Sequence, residues 1–241
     1  MPSVRLWAPE SDYDSQAIQV IAQKIVDYYK LDLELEQSTK TAYIDATSRE
    51  PNFKSKGLEK AVNTYLIKND FVIFLIDADG HQSLTQRCKQ LNSYQNTINE
   101  VIQRKLDRVK LILIRQEIEA WLLVDCLGIC CHFTKNSSTR DNLDWKKFAR
   151  NTQNGATDLI TEAIPGGNNA KEHLIHVSKK ILTKGNSNLK PRDLRKLEYS
   201  EDQASKIAKQ LEINETTIRR NSSLVEFAEL LKKASQTSYI T

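Results

Sequence analysis

The chain has 241 residues, 27% of them charged and 39% hydrophobic, with a formal net charge of +4. That length holds one large or two small packed domains, the balance is globular rather than disordered or fibrous, and the mild positive charge permits an acidic partner without demanding one. No apolar run approaches the ~20 residues needed to span a bilayer. No charged start leads into an apolar leader, and Cys88, Cys126, Cys130 and Cys131 form no spaced framework. A cytoplasmic protein with reduced thiols and no membrane partner is expected.

The elements alternate along the chain. Val4 to Ala8 reads as a short strand. Asp14 to Tyr29 carries Ile18, Ile21, Ala22, Ile25 and Tyr29 at helical spacing, which predicts an amphipathic helix. Leu31 to Leu35 and Ala42 to Ala46 are expected strands, and Leu58 to Ile67 a helix. Phe71 to Ile76 is an unbroken apolar run, as in a strand buried on both faces. A polar helix is expected within Leu84 to Arg104, a second buried strand over Val109 to Ile114, and one short apolar helix over Ile118 to Leu127. This order predicts an α/β fold, a mostly parallel sheet with helices on both faces, over residues 1–133. Beyond that the strand signals fade. Asn136-Ser137-Ser138 and Pro165 to Asn169 are loop punctuation. Ser200 with Gln203 and Ser223 with Glu226 fit capping boxes at two helix starts. Residues 134–241 are expected to be a helical region packed on the core.

Acidic residues cluster beside the carboxyl end of each main predicted strand: Glu10, Asp12 and Asp14 after the first, Asp77 and Asp79 after the Phe71 strand, Glu117 and Glu119 after the Val109 strand. In a parallel sheet those ends share one edge, where open α/β sheets place their ligands. Alternation puts Asp77 and Asp79 on one side. Converging carboxylates repel unless a cation lies between them, and such hard oxygen donors suit Mg²⁺ or Mn²⁺. A two-cation site for phosphodiester cleavage needs this arrangement. Taken singly, Asp14 and Glu117 also suit helix N-termini. Of Glu117 and Glu119, one is expected to be structural, and Glu119 is preferred as the functional one.

Glu10-Ser11-Asp12-Tyr13-Asp14 after a strand, followed by a helix, resembles the first TOPRIM motif, and Asp77-Ala78-Asp79-Gly80 resembles the second. The segment Gln116 to Asp125 is similar to a glutamate-rich helix start in small, stand-alone TOPRIM-like proteins of bacterial defence and mobile-element loci, related to nucleases of the overcoming-lysogenisation-defect type. Ser11 stands where the family pattern has Gly, and Pro9 precedes Glu10; a shifted register would use Asp12 in place of Glu10. The resemblance implies an Mg²⁺- or Mn²⁺-dependent nuclease with Glu10, Asp77, Asp79 and Glu119 catalytic and Glu10, Asp14, Asp77, Asp79, Glu117 and Glu119 as metal ligands.

Lys179, Lys180, Lys184, Lys190, Arg192, Arg195 and Lys196 form a basic stretch suited to phosphates, DNA rather than RNA, or to an ordinary solvated surface. Ser205 to Arg220 resembles a helix-turn-helix, with Thr216, Thr217, Arg219 and Arg220 facing DNA. The spacing of Cys126, Cys130, Cys131 and His132 matches no paired zinc pattern, so buried thiols are expected. His173 and His176 lie three apart without an acidic partner motif, and Trp121 is expected in the core. The chain has no G-x-x-x-x-G-K-[ST] motif of its own, so an ATPase could only be a partner protein. Two other readings stand beside the nuclease: a DNA-binding regulator using residues 205–220, and an inactive subunit of a defence complex.

Overall fold

The computed structural model describes residues 1–78, 93–105, 107–153, 155–157 and 170–237. Asp79, the rest of the Leu84 to Arg104 expectation before Ser93, Cys88 and the Pro165 to Asn169 loop lie outside them. Four parallel strands, β1 (Ser3–Trp7), β2 (Glu34–Ser38), β3 (Phe71–Asp77) and β4 (Val109–Ile114), form one sheet in the order β2-β1-β3-β4. The expected parallel sheet with helices on both faces is therefore present. Strand order reverses between β1 and β3, so the crevice beyond their carboxyl ends is the topological switch point.

Alternation along the strands divides the apolar residues between two faces. Leu6, Ile73, Leu75, Ile112 and Ile114 meet α1 (Asp12–Tyr29) and the helices that follow β4. Trp7, Phe74, Ile76 and Val109 meet α2 (Lys40–Ser48), α3 (Lys54–Tyr65) and α4 (Tyr94–Arg104). On the first face a single apolar cluster runs on through α5 (Ile118–Leu122), α6 (Cys126–Thr134), α7 (Leu143–Thr152), α8 (Ala170–Gly185), α10 (Ala204–Gln210) and α12 (Ser222–Gln236). Helix α9 (Pro191–Leu197) contributes no buried residue, and α11 (Glu215–Ile218) is a single turn. No described helix is long and apolar enough to cross a membrane.

Several expectations need correction. Ala42 to Ala46 is not a strand but the middle of α2: Thr39 caps it by accepting from the Ala42 N–H at 3.2 Å, and Tyr43, Ala46 and Thr47 turn inward at helical spacing. The second strand begins later than Leu31, because it is Glu34 that pairs with Ser3, and as an edge strand it needs no apolar run. The apolar helix expected over Ile118 to Leu127 breaks at 123–125. Gln153 donates to the Leu123 and Val124 carbonyls at 3.2 and 2.8 Å, so the broken backbone is satisfied by a side chain. Asp125 then caps α6 and is clamped by Arg140 at 2.7 Å. Ser223 lies inside α12 rather than capping it; buried Asn221 is the cap, and the Ser223 hydroxyl accepts from the Arg115 N–H and the Trp121 indole, each at 3.0 Å. Ser200 makes no capping bond to the backbone, and the capping box of this region joins Asn214 and Thr217. Trp121 is fully buried and stacked on Phe227, and Cys126, Cys130 and Cys131 are buried free thiols, as expected.

The layer beneath the sheet is tightest where α3 crosses α2. A Cβ on Gly57 would stand 2.2 Å from the Ala46 carbonyl oxygen. Gly57→Ala should therefore destabilise the protein by about 1–3 kcal/mol through forced separation of the two helices, despite alanine's better helix propensity. Chemical denaturation checks this; unchanged or increased stability would show that the helices are free to part.

Candidate functional site

Of the six described acidic residues predicted at strand ends, five, Glu10, Asp14, Asp77, Glu117 and Glu119, converge on the switch point. The Asp77 N–H, at the end of β3, donates to Glu10 Oε2 at 2.8 Å, which ties the loop after β1 to its neighbour strand. Ser11, where the family pattern has Gly, is the N-cap of α1 with φ −150°; its hydroxyl accepts from the Tyr13 and Asp14 N–H groups. The position is extended backbone, so serine fits without strain and caps the helix that carries Asp14. Asp12 is turned to another task, accepting from the Lys40 N–H at 2.9 Å. Of the two registers, the one using Glu10 thus places a carboxylate beside Asp77.

The third strand end contributes through a strained corner. Gln116 has φ 72°, a left-handed conformation rare for a residue with a Cβ, and it delivers Glu117 and Glu119 at the start of α5. Glu117 Oε2 accepts from the Lys171 N–H at 3.2 Å. Glu119 is only 4% exposed, and its Oε1 accepts from the Tyr199 hydroxyl at 2.8 Å. Glu117 is half-buried and Glu119 buried, and each carboxylate accepts a hydrogen bond from the second half of the chain, so the bonding does not single out one of them as structural.

These groups feel one another. Burial pushes the Asp77 carboxyl well above the usual carboxylate range, and the charges of Asp14, Glu10, Glu119 and Glu117 add to it. Asp14 is pushed up to about 7, by burial first and then by Glu119, Glu201 and Glu10. Burial likewise raises Glu117 and Glu119. Among the described residues no three His, Cys, Asp or Glu side chains form a ready-made coordination set; what the basin offers is a concentrated negative potential lined by hard oxygens. No protein-family model, curated protein or solved structure matches the chain.

Lys171 brings a positive charge to this basin, and sequence reasoning missed it. Lys171 pairs with Glu201; partial burial opposes its charge, but Glu201, with Glu119 and Glu117 beyond, keeps it more firmly protonated than an ordinary lysine. The signal was present in the sequence: a lysine in the first turn of a helix opposes the helix dipole and calls for an acidic partner. The predicted basic stretch is spread over α8 and α9. Lys184 is 13 residues beyond Lys171 on α8, about 20 Å along the axis, and covers the Trp145 ring at 5.2 Å. Lys179 pairs with Glu198 at 3.0 Å, Lys180 is exposed, Lys190 precedes α9, and Arg192, Arg195 and Lys196 stand on its exposed surface.

The helix-turn-helix outline exists in α10 and α11, but its inner side faces this molecule. Helix α10 packs on α1, Thr217 is buried, and Arg220 donates to the Val124 carbonyl at 2.6 Å. The expectation that Thr217 faces DNA fails because its hydroxyl completes the capping box. Arg219 is exposed and paired with Glu215. Partial burial weakens the imidazolium form of His173, with His176 and Lys180 adding positive charge.

Raised carboxyls give the fold a definite pH dependence. Asp14 at about 7 binds its proton more tightly folded than unfolded, where an aspartate titrates near about 3.9. Between those values the folded protein holds a proton the unfolded chain has lost, so stability falls as pH rises through the window. In chelator, the melting midpoint should be higher at about pH 5 than at about pH 8. Asp77→Asn should flatten that fall and raise the midpoint at the higher pH by about 2–4 °C per kcal/mol of repulsion removed. A midpoint that climbs across the window would show that the carboxyls are not held protonated by one another.

Proposed function

We propose that this chain is a divalent-metal-dependent phosphodiesterase acting on nucleic acid, of TOPRIM type. The observation that carries the reading is the convergence of Glu10, Asp14, Asp77, Glu117 and Glu119 from three strand ends onto the switch point, with burial first and repulsion after it raising the proton affinities of Asp14, Asp77, Glu117 and Glu119. The donor chemistry fits Mg²⁺ or Mn²⁺, since every candidate ligand is a carboxylate and a bound ion would relieve the negative potential.

Asp77, Asp14 and Glu119 would hold the ion, with Glu10 and Glu117 beside them. When bound, the ion supplies Lewis acidity toward the phosphate and lowers the pKa of the attacking water. The residues of the chain supply the rest. The Asp77 amide fixes the Glu10 carboxylate, and the Tyr199 hydroxyl fixes Glu119, as outer partners fix ligands at metal sites. Lys171 faces the same basin and suits a non-bridging phosphate oxygen.

The test is incubation of the purified chain with plasmid, linear DNA and RNA in Mg²⁺, Mn²⁺ or chelator. Cleavage should require the ion. Asp77→Asn and Glu119→Gln should each lower the rate by about 100-fold or more, and Tyr199→Phe by about 10–100-fold, as loss of an outer partner does. Cleavage at the wild-type rate by the Asp77→Asn, Glu119→Gln double variant would retire the reading.

A further inference from the structure

A cavity of about 450 Å³ opens between α2 and α4, lined by Tyr43, Ile44, Thr47, Pro51, Lys54 and Tyr94. Its size lies within the range of small-molecule sites, about 300–1,000 Å³. Its floor is rigid. Tyr43 is buried, its hydroxyl is hydrogen-bonded to Thr97, and its ring meets Trp7 edge-on at 5.9 Å. Trp7 in turn stacks on Phe74 at 5.2 Å and donates to the Thr39 carbonyl at 3.1 Å. An aromatic column thus runs from the centre of the sheet to the cavity.

The mouth of the cavity is different. Tyr94 is half-buried, its ring 5.0 Å from Tyr43 and tilted by 51°. Ile44 opposite is 46% exposed, an apolar side chain left in water at the rim. Among the described lining residues Lys54 is the one charged side chain, and it is positive. The cavity adjoins the loop that carries Glu10: Asp12, two residues on, accepts from the Lys40 N–H at the start of α2 at 2.9 Å, and the charge of Glu10 reaches both phenols, which burial raises first.

We infer that this cavity is a nucleotide subsite, taking one base of a single-stranded nucleic acid between Tyr94 and Ile44, with the adjoining phosphate on Lys54 and the chain continuing toward Glu10. The inference rests on the nucleic-acid reading above and adds the form of substrate, a strand whose bases are free to leave the stack. An aromatic platform of this kind accepts any base, because every base has a π-face. The cation beside it reads the backbone, not the sequence.

The experiment is fluorescence anisotropy of a labelled single-stranded thymidine 12-mer with the full-length protein in chelator, where binding is read without cleavage. Tyr94→Ala should weaken binding by about 5–150-fold, the loss of one base stack, while Tyr94→Phe keeps the ring and binds as wild type. Lys54→Ala should weaken binding and lower the salt slope by about 0.7, one single-strand phosphate contact. Duplex of the same length should bind more weakly and be insensitive to Tyr94→Ala. Wild-type protein that fails to bind the oligonucleotide, or Tyr94→Ala and Lys54→Ala variants that bind it as wild type, would overturn the subsite. This pattern of binding in a protein that cleaves nothing would retire the phosphodiesterase and keep the subsite. Asp77-dependent cleavage with binding and KM unmoved by Tyr94→Ala and Lys54→Ala would do the reverse.

Discussion

Negative charge gathered at one point of the sheet is the constraint on which the rest of this molecule turns. Folding brings five carboxylates from three strand ends to the crevice between β1 and β3, and each is taken partly or wholly out of water. Such an arrangement opposes folding on its own, since buried like charges force protons onto the carboxyls or demand a cation. The surrounding structure compensates with directed hydrogen bonds, to which the Lys171 charge adds at Glu117 and Glu119. The Asp77 amide holds Glu10, the Tyr199 hydroxyl holds Glu119, the Lys171 amide holds Glu117 and the Ser11 hydroxyl caps the helix under Asp14.

The helical second half follows from the same constraint. Tyr199 reaches Glu119 because the chain after α9 returns across α8, where the Ser178 hydroxyl accepts from the Tyr199 N–H at 3.0 Å. Glu201 then pairs with Lys171, and α10 packs on α1, the helix that carries Asp14. The helices beyond β4 thus form one wall of the basin, and the strained Gln116 corner is where the chain leaves the sheet to build it. On the opposite face the aromatic column from Phe74 through Trp7 to Tyr43 stiffens the sheet edge beneath Glu10.

How much of this the sequence carries depends on range. The buried strands Phe71–Asp77 and Val109–Ile114 are readable as apolar runs, and their order with the intervening helices implies the parallel sheet. The carboxylates at strand ends are readable too, because strand direction alone puts them on one edge. Ala42 to Ala46 misleads because five residues hold too little periodicity to separate a strand from a helix, and the decisive cap, Thr39, lies outside the apolar segment. A first-turn lysine is a local hint that Lys171 needs an acidic partner, but that partner lies 30 residues away, and Tyr199 meets Glu119 across 80 residues with no local signature. The basic stretch is legible only as charge: Lys184 stands 13 residues along α8 from Lys171, while Arg192, Arg195 and Lys196 are exposed on α9.

The most direct test of the account is calorimetric titration of Mn²⁺ into the metal-free protein at about pH 7, in two buffers of different ionisation enthalpy. If burial and shared repulsion hold protons on these carboxyls, an entering cation must displace them, because ligands have to be deprotonated to bind. The account predicts saturable binding with net proton release, a release that falls in Asp14→Asn and binding that is lost in Asp77→Asn. Heats that do not depend on the buffer, or Mn²⁺ affinity unchanged in Asp77→Asn, would contradict it.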